Sequence, residues 1–300
     1  MNTATETQGR CADARRFDGL LAWYFVVVWG SGYLATKVGL HYAAPFTFLS
    51  LRFAFGLACM GLIVLWTRPR WPATAREWMH LSVAGLLMHA VNLGGSHYAQ
   101  YLGMSAGITA LILATQPLLT ALIAARWLGE RLDARGWLGV ALGLAGVALV
   151  VWHKVDVRAV SAGSLLAVAI ALVGITVATL YQRAFCPQAD LRSASFIQFA
   201  ASLAVLAPLA LAVEGWQVHW AWPMVAAIVF LVIGASILAV SALHVLMRHG
   251  AATRVTSLLY LTPVIAVLLE WLGFGVVPSA LSMVGVAVVC AGVALVTMRR

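Results

Sequence analysis

The sequence predicts an all-α integral membrane protein. Its plan is 10 transmembrane helices as two inverted five-helix repeats, with both termini cytoplasmic. Three observations carry that reading. Of 300 residues, 63% are hydrophobic and 10% charged, against about 25% charged in soluble domains. Apolar runs of about 20 residues, each enough for a ~30 Å hydrocarbon layer, follow one another with short connections. A pattern in the first half also returns 146 residues later without a gap. Gln116-Pro117 returns as Thr262-Pro263, Gly139 as Gly285, and Ala145 to Val150 as Ala291 to Val296.

In chain order, residues 1–18 are polar and expected to be a disordered cytoplasmic segment, without the apolar core of a secretory signal. Apolar spans then run 19–40, 45–66, 77–98, 105–128, 134–153, 161–185, 192–213, 220–246, 252–274 and 278–298. The span 77–98 is the most polar of them, rich in His, Asn and Gly. With the N-terminus inside, 15 of the 19 Lys and Arg residues fall on the cytoplasmic side. Only Lys37, Lys154 and Arg158 fall outside, and Arg52 lies within helix 2. That asymmetry is the positive-inside pattern, and it explains the +9 net charge without a nucleic-acid partner.

The halves, 19–153 and 161–298, each hold an odd number of helices, so the second enters the membrane inverted. Charge follows the inversion. Arg126, Glu130, Arg131, Asp133 and Arg135 crowd the end of helix 4, whereas Gly273 to Val276, the matching stretch after helix 9, has no basic residue. The proline in each repeat removes a helical hydrogen bond, so each marks a bend. Pro117 and Pro263 are therefore candidate gating hinges. The four cysteines show no CxxC or ligand spacing, so no disulfide framework, metal or cofactor is expected.

Several local motifs now combine. They are Trp29-Gly30-Ser31-Gly32 with Lys37, Leu51-Arg52-Phe53, and Pro117 followed by Gly129-Glu130-Arg131-Leu132, with a glycine-rich helix closing each half. Their order and spacing resemble the EamA branch of the drug/metabolite transporter superfamily. Size and aromatic content resemble its YddG-type exporters of aromatic amino acids. The second half departs from the pattern: Val276 stands where the Gly-Glu pair would recur, Glu270 falls six residues early, and Gln198 replaces Arg52. The resemblance implies a 10-helix transporter with a central cavity lined mainly by helices 3, 4, 8 and 9. It implies a multi-pass protein of a bacterial-type inner membrane. It further implies export of small amphipathic metabolites, aromatic and other apolar amino acids first, by alternating access.

Candidate lining residues follow from helical spacing. In helix 3, Ser82, Gly85, His89, Asn92, Ser96 and Gln100 step by three or four and make one polar stripe. A stripe of that kind faces a pathway or makes interhelical hydrogen bonds, since lipid penalises it. Helix 4 contributes Thr109, Gln116 and Thr120. Helix 8 contributes Ser241, His244 and Arg248, and helix 9 contributes Thr253, Ser257 and Tyr260. Trp29, Tyr33, Tyr98, Tyr101, Tyr181 and Tyr260 are candidates for an apolar box around a planar side chain, with simple packing as the alternative. Trp66, Trp71, Trp78, Trp127, Trp152, Trp216, Trp220 and Trp222 lie near span ends and read as interface anchors.

Arg52, about two turns inside helix 2, must pair or snorkel, and is the candidate partner for a substrate carboxylate. Lys37 is expected to snorkel. Every Asp and Glu falls at or near a span end, leaving His89, His97 and His244 as the titratable groups inside. A cation exporter would want a buried carboxylate, so multidrug export is the alternative reading. An intramembrane enzyme is a weaker one, since no HExxH, DDxxD or Gly-x-Ser-Gly motif is present. Without a midplane carboxylate relay, facilitated diffusion is the expected energetics. Expected partners are a small-molecule substrate (amino acids or related metabolites) and the lipid bilayer, with no nucleic acid and a monomer as the working state.

Overall fold

The computed structural model describes residues 3–127, 133–156, 160–248 and 261–297. Among these the chain is all helical, apart from an isolated antiparallel bridge between Ala43 and Val218. Helix α1 spans Thr3–Gly39 and α2 spans Pro45–Thr67. Helix α3 is continuous but changes pitch: α-helix Ala75–Gly85, π-helix Leu86–Val91, then α-helix Asn92–Tyr101. Helix α4 is broken into α4a, Ala106–Leu113, and α4b, Gln116–Trp127. Then come α5 (Ala134–Asp156), α6 (Ala162–Phe185) and α7 (Leu191–Glu214). Helix α8 repeats the pitch change: Trp222–Val229, π-helix Phe230–Ala239, Val240–Arg248. Helices α9 (Thr262–Phe274) and α10 (Ala280–Thr297) close the described chain.

Among the described residues, six helical stretches are long and apolar enough to cross a membrane: 19–39, 45–67, 106–123, 162–185, 191–214 and 222–243. Shorter apolar stretches occur in α5, α9 and α10. Helix α3 is absent from that set because its His, Asn, Ser and Gln residues lower its hydropathy, as its sequence foretold. Leu62, Leu65, Leu166, Leu211 and Leu272 are all more than 60% exposed. An outer surface so apolar suits lipid rather than water.

The first helix already begins at Thr3. Residues 3–18 contain no proline, and their Ala, Arg, Glu and Gln are strong helix formers. A helix already nucleated by the apolar span extends through them cheaply.

Helix ends are set by local chemistry. Thr74 accepts from Glu77 N, Ser105 from Ile108 N, and Asp190 from Arg192 N. Ser161 and Ser164 form a reciprocal capping box at α6. Gly215 and Gly275 end α7 and α9 in the left-handed region.

Packing brings the two halves together. Helices α5 and α10 meet through glycines. A Cβ on Gly146 would lie 2.9 Å from the Gly285 carbonyl oxygen, and one on Gly292 would lie 2.6 Å from that of Gly139. Only glycine permits this approach. The contacts are reciprocal under the 146-residue offset: 139 meets 292, and 285 meets 146. Helix α7 lies equally close to α3, where Gly85 faces the Gln198 backbone and its carbonyl accepts from Ser202 Oγ.

Candidate functional site

The proline breaks lie where their chemistry requires. Proline 117 cannot donate to the carbonyl four residues back, which is that of Leu113. Helix α4a ends at Leu113. Two shorter bonds bridge the break, Thr115 N to the Ile112 carbonyl at 3.1 Å and Leu118 N to the Thr115 carbonyl at 2.9 Å. Across the break, Gln116 Nε2 donates to Thr179 Oγ1 of α6 at 2.9 Å. Pro263 likewise sits in the first turn of α9. What precedes Leu261 is outside the described residues, and so are the candidates Ser257 and Tyr260. The side chain of His244 is outside them too.

The π-helical stretches add a pair that sequence inspection missed. Adding 146 to 86–91 gives 232–237, which falls inside the second π-helix. The two pitch changes thus occupy equivalent positions in the halves. A π-turn widens the helix, leaves a backbone carbonyl free for a side chain, and is frequent at functional sites. Here Ser236 Oγ donates to the Leu231 carbonyl five residues back, at 3.0 Å.

Each π-stretch meets a polar side chain from another helix. Arg52 of α2 donates through an Nη atom to Ser236 Oγ of α8 at 3.3 Å. His89, in the π-stretch of α3, packs against Phe53 and Phe199 with ring centroids 5.3 and 5.1 Å away. Gln198 of α7 approaches the same imidazole. Gln198 is the 146-offset equivalent of Arg52, so the two contacts are counterparts.

This cluster is deeply buried and under-partnered. Arg52 is 8% exposed, Gln198 7% and Asn92 5%. Among the described residues, Arg52 Nε, Gln198 Nε2, Asn92 Oδ1, Gln100 Oε1 and Thr262 Oγ1 have no hydrogen-bond partner. No carboxylate there pairs with Arg52. A buried, half-satisfied guanidinium costs several kcal/mol unless something else completes its shell. Both unused nitrogens are donors, and a carboxylate accepts from two donors at once.

Other groups of the stripe have local partners, while Asn92 Oδ1 and Gln100 Oε1 stay unpaired among the described residues. Ser96 Oγ donates to the Leu93 carbonyl at 3.1 Å, and Asn92 Nδ2 to the Met88 carbonyl at 3.2 Å. His97 lies between Ser96 Oγ and Thr36 Oγ1, each at 3.4 Å. Gly85, Ser82 and His89 serve contact within α3 or with α2 and α7.

The aromatic candidates do not form one box. Tyr98 stacks on Phe46 at 6.0 Å and neighbours Tyr101, and both tyrosines are exposed at one end of the bundle. Tyr181 is at the other end, its hydroxyl 2.7 Å from His80 Nδ1 and its ring against Phe185. Trp29 packs on Phe25 and is 37% exposed. Tyr33 is half-buried on α1. Lys37 corrects another expectation. It does not snorkel but forms an ion pair with Glu270 at 2.7 Å. Nothing local in the sequence pointed to that partner, 233 residues away. No cluster of three metal-ligating side chains occurs among the described residues.

Long apolar helices, π-helical stretches at equivalent positions and buried polar groups without partners point to a membrane carrier rather than a soluble enzyme. The chain belongs to the EamA-like transporter family, whose sequence profile matches residues 19–152 and again 161–298. It is 26% identical over 89% of its length to an Escherichia coli protein named "Uncharacterized inner membrane transporter YedA", covering 90% of that protein. It is 33% identical to the E. coli "Probable amino-acid metabolite efflux pump", over 45% of this chain and 43% of that one. A Bacillus subtilis relative, "Uncharacterized transporter YvbV", is 25% identical over 83% of this chain and 81% of its own. One solved crystal structure superposes with a TM-score of 0.64 over 95% of this chain and 98% of that one. At 22% identity it shows the shared fold alone.

Proposed function

We propose that the chain is a bacterial inner-membrane exporter of aromatic and other apolar amino acids. It works by alternating access and facilitated diffusion. The observation that carries this is Arg52. A buried cation with an unpartnered Nε fits a cargo carboxylate, and Gln198, with a second unpartnered donor, approaches the same His89. His89, Phe53 and Phe199 beside it offer apolar and aromatic surface for a side chain. The efflux-pump relative supports the class, since its printed name specifies amino-acid metabolites. A cation exporter fits less well, because the buried carboxylate of α9, Glu270, is committed to Lys37 and α4a.

The proposed architecture is 10 membrane helices in two inverted repeats, 19–153 and 161–298, with both termini cytoplasmic. The reciprocal glycine contacts and paired π-stretches support the repeat. Positive-inside charge supports the orientation. A cysteine at position 219 in a cysteine-free background should label from outside. Labelling only from the cytoplasmic face would reverse the orientation.

Facilitated diffusion follows from a zwitterionic cargo with no net charge and no carboxylate relay at the midplane. In proteoliposomes, counter-flow of phenylalanine, leucine or tryptophan should proceed with or without a pH gradient. Uphill accumulation driven by that gradient, and lost in His89→Ala, would instead make His89 a coupling residue. Failure to carry any of these amino acids would sink the substrate assignment.

A further inference from the structure

Glu270 is a buried carboxylate, 3% exposed, to which the preceding functional reading gives no part in transport. Its two oxygens take three donors from two other helices. Oε1 accepts from Lys37 Nζ at 2.7 Å and from Ala106 N at 3.1 Å, and Oε2 accepts from Gly107 N at 2.9 Å. Ala106 and Gly107 are the first residues of α4a, whose free N–H groups and dipole favour an anion. Lys37 is held from its far side by the Phe274 ring, 4.5 Å away. Gly107 is required for the approach, since a Cβ there would lie 2.5 Å from Val267 Cγ2 of α9. One side chain therefore ties α9, α4a and α1 together.

The helices so tied are the ones that must move. Helix α4a is separated from α4b by the proline break, so it can tilt alone. Helix α9 begins at the equivalent proline. The tie lies at the end that the proposed orientation places outside, where Glu214 also caps α2 and His219 N donates to the Tyr42 carbonyl. The sequence carries no equivalent carboxylate at the other end. By the 146-residue offset, Lys37 maps to Arg183 but Glu270 maps to Ala124.

We infer that Glu270 is a positioning residue for the exit gate. With Lys37 and the α4a N-terminus it forms a latch that closes the outer end, and its carboxylate has no sequence counterpart in the first half. The latch biases the resting carrier toward the inward-facing state, where cargo enters. The inference rests on the proposed orientation for the word outer, but not on the identity of the cargo.

The test reads access directly and needs no substrate. Thr109, fully buried one turn below the latch on α4a, is replaced by cysteine in a cysteine-free chain. Right-side-out and inside-out vesicles are treated with an impermeant thiol reagent. Glu270→Gln should raise the outside labelling rate roughly tenfold, the size of one lost charge-assisted bond. Lys37→Met should raise it less, because the α4a amides still hold the carboxylate. Glu270→Asp should restore part of the protection. A cysteine at Thr176, buried on α6 away from the latch, should not change. Equal rates in the parent, Glu270→Gln and Lys37→Met overturn the latch. So does a matching rise at position 176, which reports general loosening. Should Glu270→Gln fail to assemble, Lys37→Met alone decides. A rise confined to inside-out vesicles supports the latch and overturns the orientation instead.

Discussion

The two ends of the bundle are closed differently. At the end that holds Lys37 and Glu214, the ties described are charged. Glu214 accepts from Phe46 N, Thr47 N and Thr47 Oγ1, and Glu270 accepts from Lys37, Ala106 and Gly107. At the other end, the ties between helices among the described residues include neutral ones, Ser193 Oγ to the Arg70 carbonyl and Tyr181 with His80, beside the Asp190 carboxylate, which takes a backbone hydrogen bond from Arg70. Each of these two carboxylates satisfies helix N-terminal donors that would otherwise be orphaned. Charge-assisted bonds are about twice as strong as neutral ones. The lesson is that pseudo-symmetry in the backbone does not imply equal access states. A few side chains at one end are enough to bias the equilibrium, since a shift of about 1.4 kcal/mol changes a population ratio tenfold.

That comparison can be broken or sharpened by substitutions of decreasing effect. The largest falls on the seam that both ends share. Gly292→Val forces side-chain atoms against the Gly139 and Gly143 backbone and should cost about 3 kcal/mol. Thermal unfolding in detergent would register it as a clear drop in Tm. An unchanged Tm would mean α5 and α10 separate freely. Next is Glu214→Gln, which weakens the α2 cap without changing size and should cost about 2 kcal/mol. Ser193→Ala removes one neutral bond at the opposite end and should cost about 1 kcal/mol. If it proves as costly as Glu214→Gln, the asymmetry claimed here is wrong.

The smallest effect concerns Asp190, the α7 N-cap. Hydrogen bonding to Arg192 holds its carboxyl below the usual carboxylate range. A depressed carboxylate contributes stability above its unfolded pKa and loses it as pH falls through the lower folded value. Asp190→Ala should therefore cost about 1 kcal/mol or less at neutral pH, with the gap to the parent closing in acid. A gap that widens as pH falls would contradict the assignment.

The fold was largely legible in the sequence because membrane helices are long and strongly patterned. The span limits 45–66, 161–185 and 192–213 each fall within one residue of α2, α6 and α7. The proline pair and the α5–α10 glycines were visible as repeats, and their contacts follow from backbone chemistry. The polar stripe of α3 was legible too, but its π-stretch was not, because a change of pitch leaves little trace in residue type. Partner choice was the least legible. Lys37 and Glu270, or Arg52 and Ser236, meet only once the halves are interleaved. The aromatic candidates were hard to place for a related reason: Tyr98 and Tyr181 share a residue type but stand at opposite ends.

The central claim is that Arg52 receives a cargo carboxylate. Proteoliposome counter-flow of phenylalanine, run beside phenethylamine, tests it most directly. Phenethylamine keeps the ring and the ammonium group and lacks only the carboxylate. The account predicts exchange of phenylalanine but little of the amine. It also predicts that Arg52→Gln raises the KM for phenylalanine roughly 10- to 100-fold, the worth of a hydrogen-bonded charge. Equal exchange of both compounds, with Arg52→Gln carrying phenylalanine as the parent does, would contradict it.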